Sequence, residues 1–434
     1  MTFAFDPVLP ACAAALFASL FCVTAAGQEP AADPGRALLA RLDAQRVPAA
    51  KVAATTLAIE GTYTVTFAGM GNGEPVAKGT FQEAFAGADL ARHTSDMGPL
   101  GKMERGIRGD LVWEVDPGMG AKVHRGVHDA AVRRYYAWLR GAPLSPLYTK
   151  ATKTGSETVG ERECEVWRLE PAAGPADVVR MAADGTVLRL DIALPVPESA
   201  DATWELQDAM PATVTFADWT EIDGVRLPRQ RTMQMGPATV AFACTKLQFG
   251  ATFAREAFEP PPAVAKAKAA PAAEPAFGPD GKPNYQVVPR DAQPAVTIRV
   301  KCKPDEIGKT LGTILPEVMA HLTEVGGKVA GPPFSVYHCK PGDAEVDLEG
   351  GIPVQAPVAE KGRVKNMALP AGRTLTAWHV GPYEGLAAAH EGLQQHVAAK
   401  GYKVRGPVWE VYWTDPGMVP DPAKWRTQLF QPIE

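Results

Sequence analysis

This sequence lacks several of the features that would announce a function, and each absence narrows the field. It has no CxxC pair and no Cys/His cluster, so the ligand spacing of a zinc site is missing and no metal is expected. Lys and Arg together number 44 against 49 Asp and Glu, a net charge of −5. Replacing phosphate counterions needs clustered cations, so this balance argues against a nucleic-acid partner. No phosphate-binding loop and no nucleophile–base pair stands out, and no cofactor is expected. Apolar runs are short. The longest, Ala11 to Ala26, falls below a full bilayer span, so the mature chain is expected to have no integral membrane span.

That run does resemble an export signal. It is uncharged and ends in the small residues Thr24-Ala25-Ala26-Gly27, after which the chain turns polar. Asp6 and the lack of Lys or Arg before the run fit such a signal poorly. A buried N-terminal helix and a retained anchor are the competing readings, and Phe21 argues against lipid attachment at Cys22. Residues 1–27 are therefore read as a signal peptide and the protein as periplasmic or otherwise extracytoplasmic. Beyond them the cysteines are Cys164, Cys244, Cys302 and Cys339. They suit an oxidising compartment, as within-domain disulfides or as paired buried thiols.

A chain of 434 residues exceeds one ordinary core. The sharpest change in composition is EPPPAVAKAKAAPAAE, from Glu259 to Glu274, which reads as a semi-rigid, solvated spacer. The expected division is a front domain at 28–258, a Pro/Ala-rich linker at 259–290 and a rear domain at 291–434.

In the front domain a helix over Arg36 to Gln45 precedes a series of strands. Tyr63, Val65 and Phe67 alternate with threonines. Leu111, Trp113 and Val115 share a face, and so do Leu188, Leu190, Ile192 and Leu194. Asp-Gly pairs at 184–185 and 223–224 mark tight turns. One inserted helix has Asp129 as its expected cap and Val132, Tyr135, Tyr136 and Leu139 as its apolar stripe. Trp113 and Trp167 are read as core. Strands with few helices predict an antiparallel β half-barrel. The ordered segments Gly61-Thr62-Tyr63, LVWEVDP from Leu111, VGERECEVWRLEP from Val159, MAADGTVLRLD from Met181 and DWTEIDGVRLPRQ from Asp218 resemble the LolA-like outer-membrane-lipoprotein-sorting superfamily. That resemblance implies a half-barrel closed by helices that shelters an acyl chain, lipid or other apolar ligand, with no catalytic residues.

The rear domain repeats itself. KVAGPPFSVY from Lys328 aligns with KVRGPVWEVY from Lys403, and each copy follows a helix. The first helix has the stripe Ile307, Leu311, Ile314, Leu315, Val318, Met319 and Leu322. The second has Leu386, Ala389, Leu393 and Val397, with Gly401 as its expected C-cap. Two strand–helix–strand–strand units, an α+β arrangement, are expected to lay two sheets side by side with a cleft between. The period of two puts Trp409, Val411 and Trp413 on one face and Glu410 with Tyr412 on the other. If the bulkier apolar face packs on the helices, Glu410 and Tyr412 point away from them, and by the repeat so do Ser335 and Tyr337. A carboxylate flanked by tyrosines suits a lipophilic cation. Tyr383, beginning the second helix after Gly381-Pro382, completes the candidate set. His379, His390 and His396 are not read as metal ligands, because 390 and 396 do not share a helical face.

LPAGRTLTAWHVGPYEGL from Leu369, GYKVRGPVWEVYWTDPG from Gly401, the closing Gln431-Pro432-Ile433, and in the first half AGPPFSVYH and GGIPV, closely resemble the GyrI-like family. This is the effector-binding domain of AraC-type and MerR-type regulators, found also as stand-alone proteins. The resemblance implies that Glu410 sits in the pocket and contacts cationic ligands. No helix-turn-helix precedes the domain, so the DNA-binding role does not transfer. The expected function is an exported sensor or carrier of an amphipathic or cationic small molecule, without catalysis. The alternatives are a small hydrolase of electrophiles with Glu410 as base and Tyr412 as polariser, as some stand-alone members resemble, and a lipid or lipoprotein carrier acting through the front domain.

Overall fold

The computed structural model describes residues 33–434 apart from 69–73, 76, 99–100, 118–119, 195–209, 270–276, 278–281, 340–342, 415, 417–418 and 420. The signal-peptide reading of 1–27 lies outside the described residues.

After α1 (Pro34–Asp43), the front part is one antiparallel sheet of thirteen strands among the described residues. From β1 (Thr56–Phe67) the chain steps outward through β2 (Ala77–Ala86), β3 (Leu90–Asp96), β4 (Lys102–Arg108), β5 (Leu111–Asp116) and β6 (Gly120–His124). It then passes through α2 (Gly126–Leu139) to the far edge at β7 (Tyr148–Val159). The return runs through β8 (Arg162–Pro171), β9 (Asp177–Ala182), β10 (Val187–Leu194), β11 (Met210–Ile222), β12 (Val225–Met235) and β13 (Ala238–Phe249), which pairs with β1. One face of this sheet, with Leu57, Ile59, Tyr63, Phe81, Phe85, Leu190, Ile192 and Leu194, forms a single core with Tyr135, Tyr136 and Trp138 of α2. This is the half-barrel the alternation predicts.

Two local readings differ. The inserted helix begins at Gly126, ahead of Asp129, and Asp129 instead holds Arg133 one turn on at 2.9 Å. The spacer is also less solvated than its composition predicts, since α3 (Pro262–Ala269) lies within it and packs on β5 and β6. Pro262 presets the first helical φ, and alanine costs little helix entropy. Val264 of α3 is then fully buried against Trp113 and Ala121.

The rear part is one antiparallel sheet. Its strands are β14 (Gln286–Arg290), β15 (Gln293–Cys302), β16 (Phe334–Tyr337), β17 (Val346–Pro353), β18 (Lys365–Leu369), β19 (Gly372–Val380), β20 (Val408–Tyr412) and β21 (Arg426–Pro432), with α4 (Ile307–Val325) and α5 (Leu386–Lys400). The spatial order is β14-β19-β21-β20-β16-β17-β15-β18. The repeat units are β15-α4-β16-β17 and β19-α5-β20-β21, as the sequence repeat requires. The two expected side-by-side sheets are instead halves of one sheet, because β16 and β20 pair directly. The sheet also begins at Gln286, ahead of the Asp291 boundary, since β14 pairs with β19. Both helices end on a left-handed glycine, Gly326 (φ 69°) and Gly401 (φ 66°), where a Cβ would be strained.

Candidate ligand-binding site

The register fixes which side chains meet at the join between the repeats. Ile298, Gly350, Ser335, Glu410, Leu429 and Ala377 stand directly opposite one another in succession from β15 to β19, and so share a face. Helix α4 covers one end of this row, so closely that a Cβ on Gly350 would lie 2.7 Å from Ile314 Cδ1. Helix α5 covers the other end, packing Leu393 and Val397 on Leu429 and Ala377. Ser335 and Glu410 occupy the middle, on the two strands between the helices.

This overturns the expectation that Glu410 points away from the helices. The bulkier face, with Phe334, Val336, Trp409, Val411 and Phe430, builds its own core with Ala295 and Leu369 of β15 and β18. Trp409 and Phe430 stack there at 5.3 Å. Those residues need no helix to bury them, which leaves the Glu410 face to α4 and α5.

Ser335, Tyr337, Glu410 and Tyr412 come together as one hydrogen-bonded group. The hydroxyls of Tyr337 and Tyr412 donate to Glu410 Oε2 at 3.0 Å and 2.8 Å. The Ser335 Oγ lies 2.6 Å from the Tyr412 hydroxyl, which is free to accept because its own proton goes to Glu410. Glu410 is 1 % exposed and Ser335 is fully buried. Burial, followed by the nearby Glu410 charge, pushes both the Tyr337 and Tyr412 phenols well above their ordinary range. They are therefore fixed as neutral donors. The Tyr383 ring lies edge-on to Tyr412 at 5.8 Å and 4.8 Å from Trp425.

The residue not foreseen is His390. Its Nε2 lies 2.5 Å from Glu410 Oε1, and its ring meets that of Tyr337 edge-on at 5.6 Å. The signal was present in the sequence. His390 stands four residues after Leu386 and three before Leu393, so the helical period places it on the buried stripe. His379 and His396 lie elsewhere: His379 Nε2 is 2.9 Å from the Pro382 carbonyl, and His396 stacks on Tyr285 at 4.3 Å. Among the described residues no three His, Cys, Asp or Glu side chains group so as to hold a metal ion. The four described cysteines are unbridged.

This geometry lies within a recognised domain type. Residues 283–434 match the GyrI-like small molecule binding domain. The C-terminal domain of EcmrR is similar to this stretch, with 22 % identity over 35 % of this chain and 97 % of that one, at a TM-score of 0.32. Full EcmrR, in its complex with DNA, gives 24 % identity over 35 % of this chain and a TM-score of 0.32, and this chain spans only 57 % of its length. A LolA superfamily protein from Nitrosomonas europaea gives 9 % identity over 52 % of this chain and 97 % of that one, at a TM-score of 0.35. No curated protein matches the chain.

The front sheet carries a different chemistry on the face that α2 covers. Glu83, His93, Arg105, Glu114 and Lys122 stand directly opposite one another from β2 to β6, a row in which two carboxylates meet three basic side chains. Arg105 Nε donates to Glu114 Oε2 at 2.6 Å, and His93 Nδ1 lies 3.0 Å from Glu83 Oε1. The same face thus carries an apolar core and a row of polar and charged side chains.

Proposed function

We propose that the rear domain holds a cationic, aromatic-contacting small molecule against Glu410, and that the chain acts as an exported carrier or sensor with no DNA-binding role. The observation that carries the reading is a buried carboxylate held by the Tyr337 and Tyr412 hydroxyls, with the Tyr383 ring edge-on to Tyr412. A carboxylate out of water is costly to keep charged unless donors or a counter-charge offset the loss, and a cation brings attraction to both the carboxylate and the ring faces. The GyrI-like match supports small-molecule binding. Export rests on the leader-like run before Gly27. No helix among the described residues is long and apolar enough to cross a membrane. The ligand role is assigned to the rear domain because the small-molecule-binding match falls there.

Calorimetry with benzyltrimethylammonium and the neutral N,N-dimethylbenzamide tests this. Glu410→Gln keeps the shape and removes the charge. It should cost the cation about 1–3 kcal/mol, roughly tenfold to a hundredfold in affinity, and the amide little. Equal losses would make Glu410 a packing residue, and no loss would put the site elsewhere. The hydrolase reading draws on the same group, since a carboxylate among two phenols and an imidazole can move protons. Turnover of an activated ester or epoxide that vanishes in Glu410→Gln would favour it.

A further inference from the structure

We propose that His390 is a built-in stand-in for the ligand's positive charge, so that a cation reaches Glu410 only by displacing the imidazole, and binding releases a proton. The proposal rests on the Glu410 reading and specifies how that site is filled.

The hydrogen bonds leave the Oε1 side as the approach to the carboxylate. Both acceptor positions of Oε2 are taken by the Tyr337 and Tyr412 hydroxyls, and Tyr412 is itself tied to Ser335. Oε1 faces His390. The imidazole side chain is 17 % exposed and the carboxylate 2 %, so solvent meets the pair from the histidine side. The tyrosines and Ser335 are fixed to the sheet, whereas His390 projects from α5 and can leave by rotating its own side chain. Its departure would also uncover the Tyr337 ring, which it now meets edge-on. A cation taking its place would gain the freed carboxylate oxygen and an aromatic contact together. Only one helix supplies such a group. The repeat aligns Gly401 with Gly326, which sets Leu315 of α4 in the position of His390.

Imidazole is the side chain whose charge ordinarily changes between pH 5 and 8. The titratable groups that meet His390 are Glu410 of β20 and Tyr337 of β16, with Tyr412 hydrogen-bonded to the same carboxylate and Glu391 next to the histidine along α5. Of these, Glu410 is in hydrogen-bond contact with it. Protonated His390 paired with Glu410 exchanges for the incoming cation, leaving neutral His390, a cation-paired carboxylate and one proton in solution. Charge and protons balance. Acid therefore favours the internal pair and alkali favours the ligand.

The test uses the full chain and benzyltrimethylammonium, whose charge is fixed at every pH. Wild-type affinity should rise by about tenfold from pH 5.5 to 7.5, within the limit of one decade per pH unit for one released proton. His390→Gln keeps a donor toward Glu410 without titrating, and should bind with nearly the same affinity across that range. Calorimetry of the wild type near pH 6.5, in two buffers of different ionisation enthalpy, should register up to one proton released per cation bound. That second measurement needs no variant. A pH slope that persists in His390→Gln, or binding without proton release, overturns this proposal while leaving the Glu410 site standing. Failure of the wild type to prefer the cation over N,N-dimethylbenzamide at any pH overturns both.

Discussion

Arg231 on β12 reaches past the ring of Phe242 to grip Glu83 on β2, with guanidinium–carboxylate contacts of 2.6 Å and 3.2 Å. Strands β13 and β1 lie between them in the sheet, so the pair ties together strands that are not neighbours. Both side chains are almost fully buried. The pair balances the charge at the Glu83 end of the row beneath α2.

Removing one partner should therefore cost more than removing both. Arg231→Met alone removes the guanidinium from the buried Glu83 carboxylate, leaving it the His93 contact, and should lower stability by about 3–5 kcal/mol, as breaking a buried pair generally does. The double variant Arg231→Met with Glu83→Leu should regain most of the loss, because a buried pair is often replaceable by apolar residues of similar volume. Chemical denaturation followed by tryptophan fluorescence measures both. A double variant no better than the single would show that the row depends on this pair for more than charge balance.

Acid should attack the front domain through the same row. Burial alone would push the Glu114 carboxyl up, but Arg105, Lys122 and His124 outweigh it and hold it well below the usual range. Glu83 is likewise held low by Arg231 and His93 against its burial. A depressed folded-state pKa contributes stability that is fully present above the unfolded value of about 4.3 and is lost as pH falls through the folded one. Melting temperatures recorded from pH 7 to pH 3 should thus fall steeply only below about pH 5. In Glu114→Gln that fall should be shallower. A parallel decline in both proteins would remove Glu114 from the account.

The rear domain should need its first strand. β14 pairs with β19, Tyr285 stacks on His396, and the Arg290 guanidinium lies 4.6 Å from the centre of the Phe430 ring. A fragment of residues 283–434 should melt cooperatively, whereas one starting at Asp291 should melt roughly 5–10 °C lower, given about 2–4 °C per kcal/mol at this size. Equal melting temperatures would mean that β14 is dispensable. Failure of the longer fragment to fold would show that the rear domain needs the front one.

Much of this protein follows from residue order alone. The alternation of Leu190, Ile192 and Leu194, the helical stripe through Val132, Tyr135, Tyr136 and Leu139, and the repeat that equates Tyr337 with Tyr412 are local periodicities, and a period of two or 3.6 fixes which residues share a face. From these came the half-barrel, the duplicated rear unit and the grouping of Glu410 with Tyr412, Tyr337 and Ser335. Periodicity cannot say which face a helix will cover. The sheet decided that, because Trp409, Val411 and Phe430 bury one another with Ala295 and Leu369 and leave the Glu410 face to α4 and α5. The pairing of His390 with Glu410 also came only from tertiary structure: the helical period puts His390 on a buried stripe, but a contact across twenty residues exists only once α5 is seated on the sheet. Cross-strand register likewise turned Glu83, His93, Arg105, Glu114 and Lys122, unremarkable singly, into one row across the sheet whose two carboxylates are buried.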